Sequence, residues 1–227
     1  MARVLVTGAA SGIGAGVAQH LAAEGWQVVR SDHARAPGVL AHDVTNEHDW
    51  STVFAEHGPF DALVNSAGVR TRHALVDLPL AEWERVVRIN LTGTFLGIRE
   101  FARSCIAQTT PGAVVVLASV NAFSAVAKQP HYVASKAGVA MLVKAAALEL
   151  AEHKIRINAI APGPIDTPML AERLATTEGR QWLEAKVPMG RIGTVHDCSS
   201  AVAFLLSDHA SYITGTTLPI DGGWLTQ

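Results

Sequence analysis

Tyr132 and Lys136 are four residues apart within a long helical pattern. Residues i and i+4 share one face of a helix, so the phenol and the ammonium group can face the same cleft. A free phenol titrates at about pH 10, and a nearby cation favours the phenolate. The pair can therefore act as a general acid and base on a hydroxyl or carbonyl group. A surface lysine beside a packed tyrosine would show the same spacing.

Ser119 follows the fifth predicted strand in the segment Leu117-Ala118-Ser119-Val120-Asn121. Ligands of open α/β sheets bind outside the carboxyl ends of the strands, so a hydroxyl at this position faces the crevice. It can donate a hydrogen bond to a carbonyl or alkoxide oxygen. The alternative is an ordinary turn serine.

The segment Thr7–Gly14 contains three glycines, Gly8, Gly12 and Gly14, between the first predicted strand and the first predicted helix. Glycines there allow backbone N–H groups to approach a pyrophosphate at the helix N-terminus. Asp32 ends the second strand 18 residues after Gly14, where a carboxylate can accept hydrogen bonds from an adenosine ribose. The segment predicts dinucleotide binding, although Asp32 could also be a loop acid at a strand end.

The elements that must position these groups alternate along the chain between short aliphatic strands and longer helices. Strands are predicted at 3–7, 27–31, 39–42, 61–65, 113–118, 155–160 and 216–220, and helices at 12–24, 46–57, 79–108, 130–152 and 196–207. Several strands are continuously apolar, as strands buried on both faces are. The pattern predicts an α/β fold: one Rossmann-like domain over 1–227, with a doubly wound parallel sheet of about seven strands.

Two segments depart from strict alternation. Only seven residues, from Asp32 to Gly38, separate the second and third strands, so no crossover helix fits there. The segment 164–190 contains Pro168, Gly179 and Pro188 and is long for a simple connection. Such an excursion predicts a substrate loop or lid.

Composition excludes several classes of function. The 227 residues are 49% hydrophobic and carry a formal net charge of −2, without any basic cluster, which argues against nucleic acid or a membrane surface as partner. Two cysteines cannot form a disulfide framework, and ten histidines show no metal-ligand spacing. No apolar run resembles a signal peptide or a membrane span, so we expect a soluble, cytoplasmic protein. From the histidine spacing we expect no metal site.

Several motifs occur in the order found in one enzyme family. They are TGxxxGxG at Thr7–Gly14, Asn65-Ser66-Ala67-Gly68, Asn90, Ser119, Tyr132-x-x-x-Lys136, and Pro162-Gly163-Pro164-Ile165-Asp166-Thr167. In these the sequence resembles the short-chain dehydrogenases/reductases, over nearly the whole chain from Arg3 to Gly223. The resemblance implies reversible hydride transfer between a nicotinamide cofactor and a secondary alcohol or ketone.

The resemblance also implies roles for single residues. Tyr132 would be the general acid/base, Lys136 would lower its pKa and bind the nicotinamide ribose, and Ser119 would orient the reacting oxygen. Asn90 would hold a water in a proton relay through Lys136, unless it is simply a polar residue that kinks the helix 79–108. The implied cofactor-binding residues are Gly8, Ser11, Gly12, Ile13, Gly14, Asp32, Asp43, Val44, Asn65, Ala67, Gly68, Tyr132, Lys136, Pro162, Gly163, Ile165 and Thr167.

The type of cofactor follows from Asp32, because a 2′-phosphate would meet its carboxylate at close range. Ser11 stands where a phosphate-pairing Lys or Arg is common, so NAD is expected rather than NADP. His33 and Arg35 lie near enough in sequence to compensate.

Substrate contacts are expected from Ser119, Asn121, Gln129, Tyr132 and Met169. The surrounding segments are largely apolar and predict a small to medium hydroxylated or cyclic alcohol. Arg70 and Arg72 could meet an anionic group, although exposed loop arginines are usually only solvated. Three alternatives remain: an NADPH-dependent 3-oxoacyl-carrier-protein reductase, a non-catalytic dinucleotide sensor, and a dihydrodiol or catechol-forming dehydrogenase.

The helices 79–108 and 130–152 are apolar on almost every side. One sheet face cannot cover all of that surface, so a partner subunit is expected. The family resemblance implies a homotetramer built from this helix pair.

Overall fold

The computed structural model describes residues 1–226 and contains one sheet of seven parallel strands. The strands are β1 (Arg3–Thr7), β2 (Gln27–Asp32), β3 (Leu40–Ala41), β4 (Ala62–Asn65), β5 (Gly112–Leu117), β6 (Ile155–Pro162) and β7 (Thr217–Ile220). Their order across the sheet is β3-β2-β1-β4-β5-β6-β7. The predicted doubly wound parallel sheet is confirmed, although the third strand is two residues long instead of four.

Helices cover both faces of the sheet. They are α1 (Gly12–Ala23), α2 (Glu47–His57), α3 (Leu80–Val87), α4 (Gly93–Gln108), α5 (Pro130–Leu150), α6 (Ala171–Leu174), α7 (Thr177–Glu184) and α8 (Val195–Leu206). No helix joins β2 to β3, as their short separation predicts. The segment that follows β6 contains α6 and α7.

The predicted helix 79–108 is not one regular helix. A π-helical turn, Arg88–Thr92, separates α3 from α4, with the buried Asn90 at its centre. The chain is helical from Leu80 to Gln108, close to the predicted bounds. The sequence does not predict the π turn, because the apolar pattern continues through it while the side chain of Asn90 binds the neighbouring loop. Such turns frequently occur at functional sites.

The strands are aliphatic because both of their faces are buried. Leu5, Leu63 and Ile157 face a core completed by α2, α4 and α5. Their neighbours along the strands, such as Val4 and Val64, face a second core under α1 and α8. Alternate residues therefore supply opposite cores, which explains continuous apolar runs in place of alternation.

The chain reverses its direction of winding between β1 and β4. Thr7 and Asn65 end these two strands and are paired in register. In a doubly wound sheet, the crevice at such a switch point, outside the carboxyl ends of the strands, is where ligands bind. The loops after β1, β2, β4, β5 and β6 all open at this edge.

Candidate active site

Tyr132, Lys136 and Ser119 meet in one cavity of about 550 Å³ at the carboxyl edge of the sheet. Pro130 begins α5, so Tyr132 lies in its first turn and Lys136 one turn further on. Ser119 lies two residues after the end of β5 and forms a hydrogen bond with the phenol of Tyr132. All three side chains are buried. The geometry therefore brings together the phenol, ammonium and hydroxyl groups that the sequence singled out.

Burial governs the proton affinities in this cluster. It raises the pKa of Tyr132, against the hydrogen bond from Ser119 and the positive charge of Arg70, which both lower it. Burial also lowers the pKa of Lys136 to about 8. The family resemblance gives Lys136 the task of lowering the pKa of the phenol. In this structure that charge effect comes from Arg70, while the Nζ atom of Lys136 lies 5.9 Å from the centroid of the Tyr132 ring.

Asn90 braces the site from behind, because its amide binds the loop after β4. Its Oδ1 atom accepts a hydrogen bond from the N–H of Val69 at 2.8 Å, and its Nδ2 atom donates to the carbonyl oxygen of Val69 at 3.0 Å. Nδ2 also donates to Oγ of Ser135, at 3.0 Å, one residue before Lys136. Asn90 thus ties α5 to the loop that enters the cavity, without lining the cavity itself.

The glycine segment forms a second cavity, of about 600 Å³, beside the first. Gly8 has a φ of +65°, and a Cβ atom there would lie 2.7 Å from the backbone nitrogen of Ala67. A Cβ atom on Gly14 would collide with the carbonyl oxygen of Gly8. The first turn of α1 contains no acidic residue. Its N–H groups therefore face a space that a pyrophosphate fits in size and charge.

Asp32 stands at the far side of this second cavity, held by two backbone groups. Its Oδ2 atom accepts a hydrogen bond from the N–H of Ala10 at 3.0 Å, and its Oδ1 atom accepts one from Ala34 at 2.9 Å. Asp43 and Val44 line the same cavity. Asp43 accepts a hydrogen bond from the N–H of Thr45 at 2.9 Å, which lowers the pKa of its carboxyl group although burial opposes the shift.

The two cavities adjoin, since Ile13, Gly68 and Thr167 line both. The expected cofactor residues that line the first are Ile13, Gly68, Tyr132, Lys136, Pro162, Gly163, Ile165 and Thr167. Those that line the second are Gly8, Ser11, Gly12, Ile13, Gly14, Asp32, Asp43, Val44, Ala67, Gly68 and Thr167. The expected substrate residues Asn121, Gln129 and Met169 also line the first cavity, with Ser119 and Tyr132.

Asn65 is the exception among the expected cofactor residues and lines neither cavity. Its Oδ1 atom accepts a hydrogen bond from Oγ1 of Thr7 at 2.8 Å, and its Nδ2 atom donates to the carbonyl oxygen of Gly93 at 3.3 Å. The side chain is turned into the protein because it joins the ends of β1 and β4 to α4. The side chain of Asn65 therefore has a structural role.

Three residues of the site lie outside every segment that the sequence singled out for it. Arg85 and Arg88 line the second cavity, and Trp224 lines the first. Trp224 reaches the first cavity because the chain turns back after β7. In this turn Asp221 accepts hydrogen bonds from the N–H groups of Gly223 and Leu225. No local motif signals that turn. Within residues 1–226, no group of three or more His, Cys, Asp or Glu side chains could hold a metal ion, and no helix is long and apolar enough to cross a membrane.

A dinucleotide cradle that opens onto buried phenol, ammonium and hydroxyl groups defines a nicotinamide-dependent oxidoreductase. A family model described as enoyl-(acyl carrier protein) reductase matches residues 8–225. The chain is 40% identical to 3beta-hydroxysteroid dehydrogenase 1 of Eggerthella lenta, over 97% of this chain and 92% of that protein. It is 38% identical to cis-4-hydroxycyclohexanecarboxylate dehydrogenase of Sinomonas cyclohexanicum, over 97% of this chain and 95% of that protein.

Solved structures agree with these relatives. A protein of Agrobacterium tumefaciens with bound NADP superposes with a TM-score of 0.94 at 35% identity, over 100% of this chain and 97% of that one. The structure of 4-hydroxyisoleucine dehydrogenase complexed with NADH gives a TM-score of 0.95 at 27% identity, over 100% of both chains. The chain belongs to the short-chain dehydrogenases/reductases and is an NAD(P)-dependent oxidoreductase of that family.

Proposed function

We propose that the protein oxidises a cyclic or small to medium secondary alcohol to a ketone with NAD, and catalyses the reverse reduction. The observation that carries this proposal is the junction of the two cavities, where Tyr132, Ser119 and Lys136 stand next to the glycine cradle. A bound nicotinamide would supply the hydride acceptor or donor. The chain's own residues then have to hold the alcohol and move one proton.

Each residue of the cluster has a distinct task in this scheme. The hydroxyl of Ser119 orients the reacting oxygen, and the Tyr132 phenolate takes the hydroxyl proton during oxidation or returns it during reduction. The Lys136 ammonium group would bind the ribose next to the nicotinamide. Asn90 holds α5 and the loop of Val69 in place. We also propose that Asn90 takes part in a proton relay behind Lys136. The phosphates would lie on the N-terminus of α1 and the adenine beside Asp43 and Val44.

The preference for NAD over NADP rests on Asp32. Two backbone N–H groups fix its carboxylate in the wall of the second cavity, so it cannot turn away from a 2′-phosphate. Of the two neighbours in sequence that could offset this charge, Arg35 does not line the cavity and His33 does, together with Arg85 and Arg88 from α3 and the π turn. Like-charge contact therefore disfavours NADP and the alternative of an NADPH-dependent 3-oxoacyl-carrier-protein reductase.

The substrate class follows from the lining of the first cavity. Val126, Met169, Leu170, Trp182 and Leu183 give it an apolar wall, and four of these residues belong to the segment 164–190. We propose that this segment is the substrate lid of a single-domain enzyme. Relatives named for a hydroxysteroid and for a hydroxycyclohexanecarboxylate act on ring alcohols, which supports a cyclic substrate.

We further propose a homotetramer in the cytoplasm. Met141 and Leu148 on α5 are 63% and 84% exposed, and Phe95 and Ile106 on α4 are 42% and 41% exposed, so this helix pair presents apolar surface for a partner. Cys105 and Cys198 are free and buried, which suits a reducing compartment. Monodisperse monomer in light scattering at micromolar concentration would contradict the tetramer.

The activity is tested with a panel of secondary alcohols, NAD and NADP, by following the absorbance of the reduced cofactor. We expect turnover of ring alcohols with NAD at a higher kcat/KM than with NADP. Dinucleotide binding without turnover of any alcohol or ketone would instead favour the non-catalytic sensor. Higher kcat/KM with NADPH and a 3-oxoacyl thioester would favour the carrier-protein reductase.

A further inference from the structure

Three arginines line the cavity that holds Tyr132. Arg70 and Arg72 come from the loop after β4, and Arg173 comes from α6. Glu172 is the only acidic residue among those that line this cavity in the described part of the chain. The wall that faces the reacting oxygen therefore carries more positive than negative charge.

Arg70 is half-buried and held in place, unlike a solvated loop arginine. Its Nη2 atom donates a hydrogen bond to the carbonyl oxygen of Met169 at 2.6 Å, across to the proposed lid. The guanidinium group of the exposed Arg173 lies over Trp182, with its Cζ atom 4.2 Å from the centre of that ring. Both guanidinium groups thus contact residues that line the cavity. Since a contact restricts a long side chain before the ligand binds, less entropy is lost on binding.

In the described part of the chain, these arginines have no paired carboxylate. Among residues 1–226, every salt bridge of an arginine is formed by an arginine other than Arg70, Arg72 and Arg173. Burial lowers the pKa of Arg70, and the charges of Arg72 and Arg173 lower it further, although Tyr132 and Glu172 oppose them. An anion placed between the guanidinium groups would relieve this repulsion.

We infer that the alcohol substrate carries a carboxylate, which binds to Arg70 and Arg72 while its hydroxyl group reaches Ser119 and Tyr132. Planar guanidinium groups bind a carboxylate through two parallel hydrogen bonds. Glu172 in the same wall penalises a doubly charged phosphate more than a singly charged carboxylate. Val126, an apolar residue in the lining of the same cavity, would contact the body of the substrate.

This inference rests on the proposed function, since it names the substrate class of the same site. Its test compares cis-4-hydroxycyclohexanecarboxylate with its methyl ester, which has the same ring and hydroxyl group without the charge. With NAD, we expect kcat/KM for the acid to exceed that for the ester by at least about 10-fold, mainly through KM. The difference should shrink as NaCl is added, because salt screens the pair.

Arg70→Gln and Arg72→Gln should each lower the ratio of kcat/KM for acid and ester about 10-fold, the size of one charged hydrogen bond. Lys154→Gln is the matched control, because it removes an exposed positive charge just before β6, at the opposite edge of the sheet. It should leave the ratio unchanged. Equal kcat/KM for acid and ester in the wild type, or an unchanged ratio in both arginine variants, would overturn the inference.

Binding separates this inference from the proposed function. Trp182 and Trp224 line the cavity, so tryptophan fluorescence reports titration with either compound. If no alcohol is oxidised, the proposed activity fails, while tighter binding of the acid than of the ester, lost in the arginine variants, still supports a carboxylate site. Equal binding of acid and ester, or tighter binding of 4-hydroxycyclohexyl phosphate than of the acid, overturns it.

Discussion

The Nζ atom of Lys136 lies 2.6 Å from the carbonyl oxygen of Leu117, the last residue of β5, and donates a hydrogen bond to it. This bond joins α5 to the carboxyl end of the sheet and holds a buried ammonium group beside Tyr132. The protein thus keeps a charge in its interior with a neutral partner. The pKa of about 8 shows how much burial disfavours that charge.

The buried lysine should make stability depend on pH. Above pH 8 the folded chain releases a proton that the unfolded chain keeps until its ordinary pKa of 10.5, so the free energy of unfolding rises with pH. Between pH 7 and 9.5 this gain amounts to about 2 kcal/mol. The Lys136→Met variant should lack this rise in the free energy of unfolding with pH. Urea unfolding of both proteins checks this, and parallel pH dependence in the two would contradict it.

Tyr132→Phe should remove the general acid/base and leave the cofactor site intact. We expect kcat to fall about 10²- to 10⁴-fold with little change in the affinity for NAD, because only proton transfer is lost. Tyr212, the other of the two tyrosines, is fully exposed, so Tyr212→Phe is the control. Calorimetric titration with NAD and steady-state kinetics give the two readouts. Substantial kcat in Tyr132→Phe would exclude the phenol as proton carrier.

Arg70 should set part of the pH profile. Its charge lowers the pKa of the Tyr132 phenol, so Arg70→Gln should raise that pKa and shift the ascending limb of the oxidation rate to higher pH. Arg70→Lys keeps the charge and should shift the limb less. The measurement is kcat/KM for an uncharged alcohol as a function of pH, carried above the ordinary phenol pKa of about 10, because burial raises the pKa of Tyr132 from that value. Superimposable profiles would show that Arg70 does not act on the phenol.

Asp32→Ser should relax the choice of cofactor. Removing the carboxylate abolishes its repulsion of a 2′-phosphate and its hydrogen bonds to the ribose, so the ratio of kcat/KM for NAD and NADP should fall about 10²-fold. Asp77 is exposed and lies outside both cavities, so Asp77→Ser removes the same charge elsewhere. A ratio that does not move in Asp32→Ser would assign the selectivity to other residues.

The sequence predicts the parts of the fold and of the site that depend on residues close together in the chain. Aliphatic runs locate the strands, and the spacing of Tyr132 and Lys136 is enough to place both groups in one cavity. The sequence predicts the helix over 79–108 but not the π turn within it, where the amide of Asn90 binds the backbone of Val69, 21 residues earlier in the chain. Periodicity cannot report such a contact.

Contacts between residues far apart in the chain also determine what Asn65 and Arg70 do in this structure. Asn65 belongs to a segment that resembles a cofactor-binding motif, yet its side chain joins Thr7 to Gly93. Arg70 has the sequence features of a solvated loop arginine, and only its hydrogen bond to Met169, 99 residues away, turns it along the cavity. Neither outcome can be read from spacing.

The wide turn at Arg88–Thr92 has a consequence for changes in chain length. A π turn holds one residue more than an α turn, since its hydrogen bonds span five residues instead of four. Deleting Leu91 would let α3 and α4 merge into an ordinary helix, with both flanking helices still facing their original neighbours. The shortened chain would keep its fold and lose the bulge that aims the buried Asn90 at Val69. Such a variant would fold and yet lose catalytic activity.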